Sequence, residues 1–449
     1  MVSSIAAAVA QLKTEPASVL ESSVIEEVCR AAGHHWRDRE LDPATTVALF
    51  IQQVCRGNVP VAELRHIAGA TFSESAYCQA RMRLPLAVLE ELSRRVCETI
   101  AGDGPDFRWL GHRTFLVDGT SFSMSDTPEL RKYFGLPGST KAGCGFPASH
   151  LLVLFDARTG VLVEYAASKL RTADLTHCPD MLECMSTGDI AVGDEHFGSW
   201  AHIALLISQG KHGLFPVNHR RIVDFTPDRP HVKESMRHRS PGTVRSPWLK
   251  SLGTEDQLVQ WPKPRNRPPW LTKEQFAALP GFITVRELRR TVQSEGSGKV
   301  TLTMVTTLLD PAVYSAAAIT DLRMQRWGVE TNLAHLKTTM GMDVLRCQTV
   351  QGVLKELEVF RLVYNLTRAV ILEAAQRQEV PVSRISFADA LYWIRHARPG
   401  DLMPRLKVNP KRTGRVEPRA KKRRPKVYDR LNKPREKMRQ ALRDRARKA

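Results

Sequence analysis

Near Arg113 the hydrophobic pattern of this chain changes period. Upstream, from about Val19 to Glu98, apolar residues recur three and four apart, as in Val47, Phe50, Ile51 and Val54 and again in Leu86, Leu89, Leu92 and Val96. That spacing gives a helix one apolar face and predicts an all-helical N-terminal region. Downstream, Thr114-Phe-Leu-Val117 ending in Asp118 is short, apolar and β-branched, the pattern of a buried strand. Leu151–Phe155 and Val161–Tyr165, separated by Asp156-Ala-Arg-Thr-Gly160, predict a hairpin. A helix over about 173–185, the run Asp189-Ile-Ala-Val-Gly-Asp194, an amphipathic helix over Ser199–Ser208 and the run Gly213–Val217 follow. Strand, hairpin, helix, strand, helix, strand is an α/β order.

Residues 220–311 break that rhythm with Trp261-Pro-Lys-Pro and Arg267-Pro-Pro-Trp270 ahead of β-like runs at Phe282–Val292 and Val300–Leu309, which predicts a β-rich insertion. Helical spacing resumes over Ala316–Met340 and Val353–Ala375. The predicted organisation is a helical N-terminal domain (1–110), the first part of an α/β core (111–219), the β-rich insertion (220–311), a helical completion of the core carrying Glu330 (312–398) and a basic tail (399–449).

The tail dominates the charge. From Asp401 to Ala449 there are twenty Lys/Arg and five Asp/Glu, a net +15 of the chain's +19, so the first 400 residues carry only +4. A cationic arm on a nearly neutral body points to a polyanionic partner. With 449 residues and 42% hydrophobic content, the chain is long and apolar enough for two or three domains. Its eight cysteines include no CxxC, which argues against a zinc ribbon or a disulfide framework and fits a reducing cytoplasm. No apolar run approaches the roughly 20 residues that span a bilayer, so membrane insertion is not expected.

Within the helical region, Val61–Ala68, Gly69-Ala70 and the capping-box pattern Thr71-Phe-Ser-Glu74 precede Arg81 and Arg83. Such a string suits a DNA-reading helix-turn-helix, and equally two short helices joined through a glycine.

The chemistry-bearing residues are three acids. Asp118 and Asp194 each end a predicted buried strand, where α/β sheets present functional groups. Either one alone reads as well as a turn opener. On the helix Asp321–Lys337, Arg323, Arg326, Glu330 and Lys337 share one stripe, which alone would be a solvated face with an i,i+4 pair worth ~0.3 kcal/mol. Together, two strand-end carboxylates, a helix carboxylate and adjoining cations make a two-metal phosphoryl-transfer site. Hard oxygen ligands favour Mg²⁺. Two such ions activate the attacking hydroxyl and stabilise the leaving oxygen, and Arg and Lys grip flanking phosphates.

Three blocks carry a family resemblance. Phe115-Leu-Val-Asp-Gly-Thr-Ser-Phe-Ser-Met-Ser-Asp-Thr-Pro-Glu129 running on to Lys141-Ala-Gly-Cys-Gly-Phe-Pro147 is similar to the block around the first catalytic Asp of DDE transposases of the insertion-sequence-four family. Val192-Gly-Asp-Glu-His-Phe-Gly-Ser-Trp-Ala-His202 resembles the block around the second. Arg326, Glu330 and Lys337 match the family's Tyr-x2-Arg-x3-Glu-x6-Lys signature, with Arg323 where the signature has Tyr. The resemblance covers roughly Arg113 to Leu372.

It implies a ribonuclease H-like mixed-sheet core with a β-rich insertion. It further implies Asp118, Asp194 and Glu330 as catalytic metal ligands for two Mg²⁺ ions, Mn²⁺ substituting, and DNA-backbone binding by Arg326 and Lys337, with Arg323 beside them. Base stacking by an insertion-domain Trp, with Trp248, Trp261 and Trp270 as candidates, is implied too. The expected activity is cut-and-paste transposition in a bacterial, nucleoid-associated setting. Terminal inverted repeats would be cleaved and joined to double-stranded target DNA by a homodimeric synaptic complex. A Mg²⁺-dependent nuclease of the same fold and a catalytically silent DNA-binding protein are the alternatives.

Overall fold

In the computed structural model of the protein, residues 8–10, 12, 16–37, 39–68, 72–100, 108–137, 144–229, 246–294, 298–398, 400–410 and 433–447 are described. Gly69, Ala70 and Thr71 of the expected turn, Lys141-Ala-Gly143 of the first sequence block and the basic run Lys421–Lys426 lie outside them.

Among the described residues, the one-turn helix Pro16–Val19 is followed by five longer helices: α1 (Ser22–Ala31), α2 (Pro43–Cys55), α3 (Val61–Ala68), α4 (Glu74–Arg83) and α5 (Leu86–Ile100). The α4 cap differs from the expected one. Ser73, and not Thr71, caps the helix, its hydroxyl accepting from the Ala76 amide at 3.1 Å. The two basic residues of α4 also part company. Arg81 is half-buried, its guanidinium 3.7 Å from the Phe50 ring and donating to Gln53 Oε1 at 2.9 Å, whereas Arg83 is exposed.

The strands β1 (Thr114–Ser123), β2 (Ala148–Asp156), β3 (Leu162–Lys169), β4 (Ile190–Val192) and β5 (His212–Pro216) alternate with α6 (Pro128–Phe134), α7 (Cys178–Glu183) and α8 (Trp200–Ser208). Next come β6 (Trp248–Gly253), β7 (Asp256–Pro262), β8 (Phe282–Ser294) and β9 (Gly298–Thr306). All nine form one sheet in the order β3-β2-β1-β4-β5-β9-β8-β7-β6. β1 runs antiparallel to β2 and parallel to β4, and β4 is parallel to β5. This five-stranded block, with helices on both faces, is a ribonuclease H-like core. The insertion is no separate sheet: its antiparallel meander docks through β9 onto β5, pairing Leu214 with Thr306 and Pro216 with Met304.

Alternation along β1 sends its residues to two cores. Phe115 and Val117 join the cluster under α7, α8 and the inner insertion strands, while Leu116 joins the cluster that continues into the N-terminal helices. The last helices are α9 (Ala316–Met324), α10 (Trp327–Ala334), α11 (Val350–Gln378), α12 (Phe387–His396) and α13 (Arg435–Ala446). The 29-residue α11 is the axle of the molecule, about 44 Å long. It is buried along most of its length, packing on α5, α2 and β3. Polar groups at its buried centre are matched: Asn365 accepts from the Leu162 amide at 2.9 Å and donates to the Leu162 carbonyl at 3.0 Å, and the Tyr364 hydroxyl donates to the Gly160 carbonyl at 2.9 Å. The N-terminal helices and the sheet thereby share one apolar cluster. No described helix is long and apolar enough to cross a membrane.

Candidate active site

The parallel register of β1 and β4 pairs Thr114 with Ile190 and Leu116 with Val192. Carried two residues further, it sets Asp118 opposite Asp194, on the face where Leu116 points; Asp194 lies just past the end of β4, but Asp118 does not end its strand as expected, because β1 continues to Ser123 through its pairing with β2. Gly193 lets the Phe197 ring and Val117 pack against the backbone there, since a Cβ would lie 2.8 Å from the first and 2.9 Å from the second. Asp194 Oδ1 then accepts from the His196 amide at 2.8 Å, fixing the carboxylate in an Asx turn.

Asp118 is mostly buried. Its Oδ1 accepts from the Gly119 amide at 2.8 Å and its Oδ2 from Arg326 Nη1 at 3.2 Å. Burial raises its pKa above the usual Asp value. Arg326 and the Gly119 N–H oppose the rise, and the nearby carboxylates of Asp194 and Asp174 add to it.

The third acid arrives on a helix laid across β1. One continuous helix over Ala316–Met340 was expected; instead α9 ends at Met324 and α10 starts at Trp327. At the break the hydrogen bonds shorten to i→i−3: Gly328 donates to the Gln325 carbonyl at 2.8 Å and Val329 to that of Arg326 at 2.9 Å. A π-turn, His335–Thr339, follows α10. Arg326, at the break, spans two acids, with Nη1 on Asp118 and Nη2 3.5 Å from the exposed Glu330. Lys337, in the π-turn, donates to Thr120 Oγ1 at 3.1 Å, one turn of the β1 pleat beyond Asp118.

Arg323 is buried beside them. Burial and the like charge of Arg326 push its guanidinium down to about 10, against the opposing pull of Asp194. The Nε atoms of both Arg323 and Arg326 are buried without a hydrogen-bond partner among the described residues. Donors left in this state beside an acid pair suit an anion such as a DNA phosphate. Among the described residues no three His, Cys, Asp or Glu side chains are gathered closely enough to hold a metal ion. The sheet assembles the Asp118–Asp194 pair, while Glu330 is held on the far side of the Arg326 guanidinium.

The chain matches the transposase DDE domain over residues 109–366, more than half its length. It belongs to the DDE transposase family. The relatives place it with the insertion-sequence-four type: the transposase InsG for insertion sequence element IS4 of Escherichia coli (strain K12) is 22% identical over 378 residues, 79% of this chain and 77% of that one. The InsZ protein of the same organism is 28% identical over 148 residues, 32% of this chain and half the length of that relative. Among solved structures, a piggyBac transposase synaptic complex with hairpin DNA aligns with 86% of this chain and 80% of that one at 10% identity, with a TM-score of 0.43.

In this DDE transposase the three tryptophans proposed from sequence differ in availability. Trp261 is 1% exposed. Its indole N–H donates to Glu287 Oε1 at 2.8 Å and the Arg221 guanidinium lies 3.7 Å from its ring, so it is a packing residue and the stacking assignment is corrected. Trp270 is half-buried against the insertion-side core. Trp248 stands half-buried on β6, the outermost strand, with an indole N–H that has no partner among the described residues.

Sequence reasoning missed Asp174 and His150. They sit under the β1 backbone at Gly119, with His150 Nε2 2.5 Å from Asp174 Oδ1. No motif flags them, because β2 and the 3₁₀ turn Asp174–His177 approach β1 only through the sheet.

Proposed function

We propose that this transposase cuts at the ends of its own insertion sequence and joins the freed 3′-OH to target DNA, with Asp118, Asp194 and Glu330 as metal ligands. The observation that carries this reading is the convergence of the middle of β1, the end of its parallel neighbour β4 and one helix break, which brings Asp118, Asp194, Arg323, Arg326, Glu330 and Lys337 to one patch of the sheet. The donor set fits a hard divalent cation, since all three proposed ligands are carboxylates. The family works with divalent metals, and Mg²⁺ is the ion proposed here, with Mn²⁺ as its substitute. When bound, the ions would polarise the attacking hydroxyl and stabilise the leaving oxygen.

The chain's own residues do the rest. Arg326, now shared between Asp118 and Glu330, and Arg323, with an unsatisfied Nε, bind the phosphate flanking the scissile bond. Lys337 holds the next phosphate along β1. The nucleophile is water for end cleavage and the DNA 3′-OH for joining, so no covalent enzyme–DNA link forms. The basic tail and helical region supply phosphate contacts along double-stranded DNA. Two ends require two protomers in a synaptic complex.

The test is to incubate the purified protein with duplexes carrying the DNA that flanks its gene and with a supercoiled target, in Mg²⁺ or EDTA. Mg²⁺-dependent cleavage with joined product is expected. Nicking without joined product would make the protein a nuclease of this fold, and binding without cutting would leave a DNA-binding protein only.

A further inference from the structure

We propose that a cleft in the N-terminal helical region, between the residues His34–Arg37 and Arg39–Leu41 on one side and helix α4 on the other, is a binding site for an unpaired nucleotide of the DNA. This cleft is remote in sequence from the acids and serves no role in the catalytic reading. Its cavity volume is about 670 Å³, inside the ~300–1,000 Å³ range of pockets that bury a small organic group.

One wall is a helical stripe of α4, formed by Ala76, Gln79, Ala80 and Arg83 at spacings of 3, 1 and 3. Small residues at 76 and 80 keep that wall flat and set back. The floor is apolar and close-packed, with Phe72, Pro43 and Leu84 buried beneath the opening.

The opposite wall is a stack of planar groups. The His34 ring lies 5.9 Å from that of Trp36, tilted by 25°, and the Arg30 guanidinium lies 5.3 Å from the same indole. Around the mouth stand Arg37, Arg39 and Arg83, all exposed, with Glu40 the one acid among the described lining residues. The surplus of positive charge reaches inward: burial first, then Arg83, His35 and Lys355, lower the pKa of His34.

This division of chemistry selects the ligand class. A site for the duplex backbone alone needs cations on a convex or grooved surface and has no use for a recessed apolar floor. A flat aromatic wall above an apolar floor takes a base only after it has left the helical stack, and the three arginines at the mouth then meet its phosphates. The occupant is an unstacked nucleotide at a DNA end or junction, where pairing is cheapest to lose. The inference rests on the transposase reading, which supplies the DNA ends.

The experiment compares two fluorescent duplexes in anisotropy titrations of the full chain, one blunt and one with a short single-stranded extension at the same end. The readout is the ratio of the two affinities within each protein. Wild type is expected to prefer the extended duplex by roughly 5- to 140-fold, the span of one well-stacked base. Gln79→Trp, which fills the cleft from an exposed helix position without changing charge, and Arg83→Ala, which removes one mouth cation, should bring that ratio toward one. Thermal melting monitored by circular dichroism verifies that both variants are folded. A folded Gln79→Trp protein that keeps the wild-type ratio overturns the site. So does a wild type that binds and cleaves DNA with no preference for the extension, and that result leaves the transposase reading standing. Failure of the wild type to bind either duplex overturns both.

Discussion

Gly119, next to the first acid, is where a single atom matters most. A Cβ there would sit 2.6 Å from Asp174 Oδ1 and 2.8 Å from His150 Cε1. Gly119→Ala is therefore expected to destabilise the protein by about 1–3 kcal/mol, the usual cost of overpacking a filled site. Gly119→Ala/Asp174→Ala should recover part of that loss, a coupling that a double-mutant cycle by chemical denaturation reads directly. Additive single effects would show that the clash is relieved elsewhere. His202 offers a second test. It is fully buried, its ring Nδ1 is 2.7 Å from the Phe197 carbonyl, and burial pushes its pKa down to about 4. A depressed histidine is neutral in the fold and charges more readily unfolded. Its contribution is thus fully present above the unfolded value near 6.5 and is lost as pH falls toward about 4. An NMR titration should show this ring neutral at pH 5.5; protonation there would contradict the assignment.

Strands apolar on both faces were legible from sequence, as were β3, β8, β9 and the amphipathic N-terminal helices, whereas β6 and β7 were not. β1, β2, β4 and β5 lie inside the sheet with helices on both sides, so Phe115–Val117, Leu151–Phe155 and Ile190–Val192 read as strands directly. β6 and β7 escaped because Trp248-Leu-Lys-Ser alternates weakly on an exposed edge and because Pro262, at the last position of β7, reads as a break. The α9–α10 break was equally hidden, since Gln325 and Arg326 carry no helix-breaking chemistry. The contact it produces, Arg326 to Asp118, spans 208 positions. Family blocks pointed to the acids, yet spacing along one ideal helix could not show that Arg326 stands between Asp118 and Glu330. Trp261 misled for a related reason: a Trp beside Pro looks the same in sequence whether exposed or packed, and only the β7–β8 pairing places it over Glu287. Trp261→Ala is expected to cost about 3–5 kcal/mol of stability. Denaturant midpoints measure it, and an unchanged midpoint would restore Trp261 as a free stacking residue.

At the scale of the whole molecule, the helical region, the long α11 and the sheet are tied into one apolar body, and the charge sits at one end of the chain. Truncation after Pro410 removes most of the +15 tail, so the slope of log affinity against log salt on duplex DNA should become shallower by at least about 3 units. An unchanged slope would place the phosphate contacts on the body instead. The central claim concerns the acids that the fold gathers beside the middle of β1. Its most direct test compares wild type with Asp194→Asn for end cleavage and joining in Mg²⁺, with duplex binding measured on the same preparations. The expected result is loss of both cleavage and joining by at least about 10³-fold with duplex binding retained. Joined product formed by Asp194→Asn at the wild-type rate would show that the chemistry lies elsewhere.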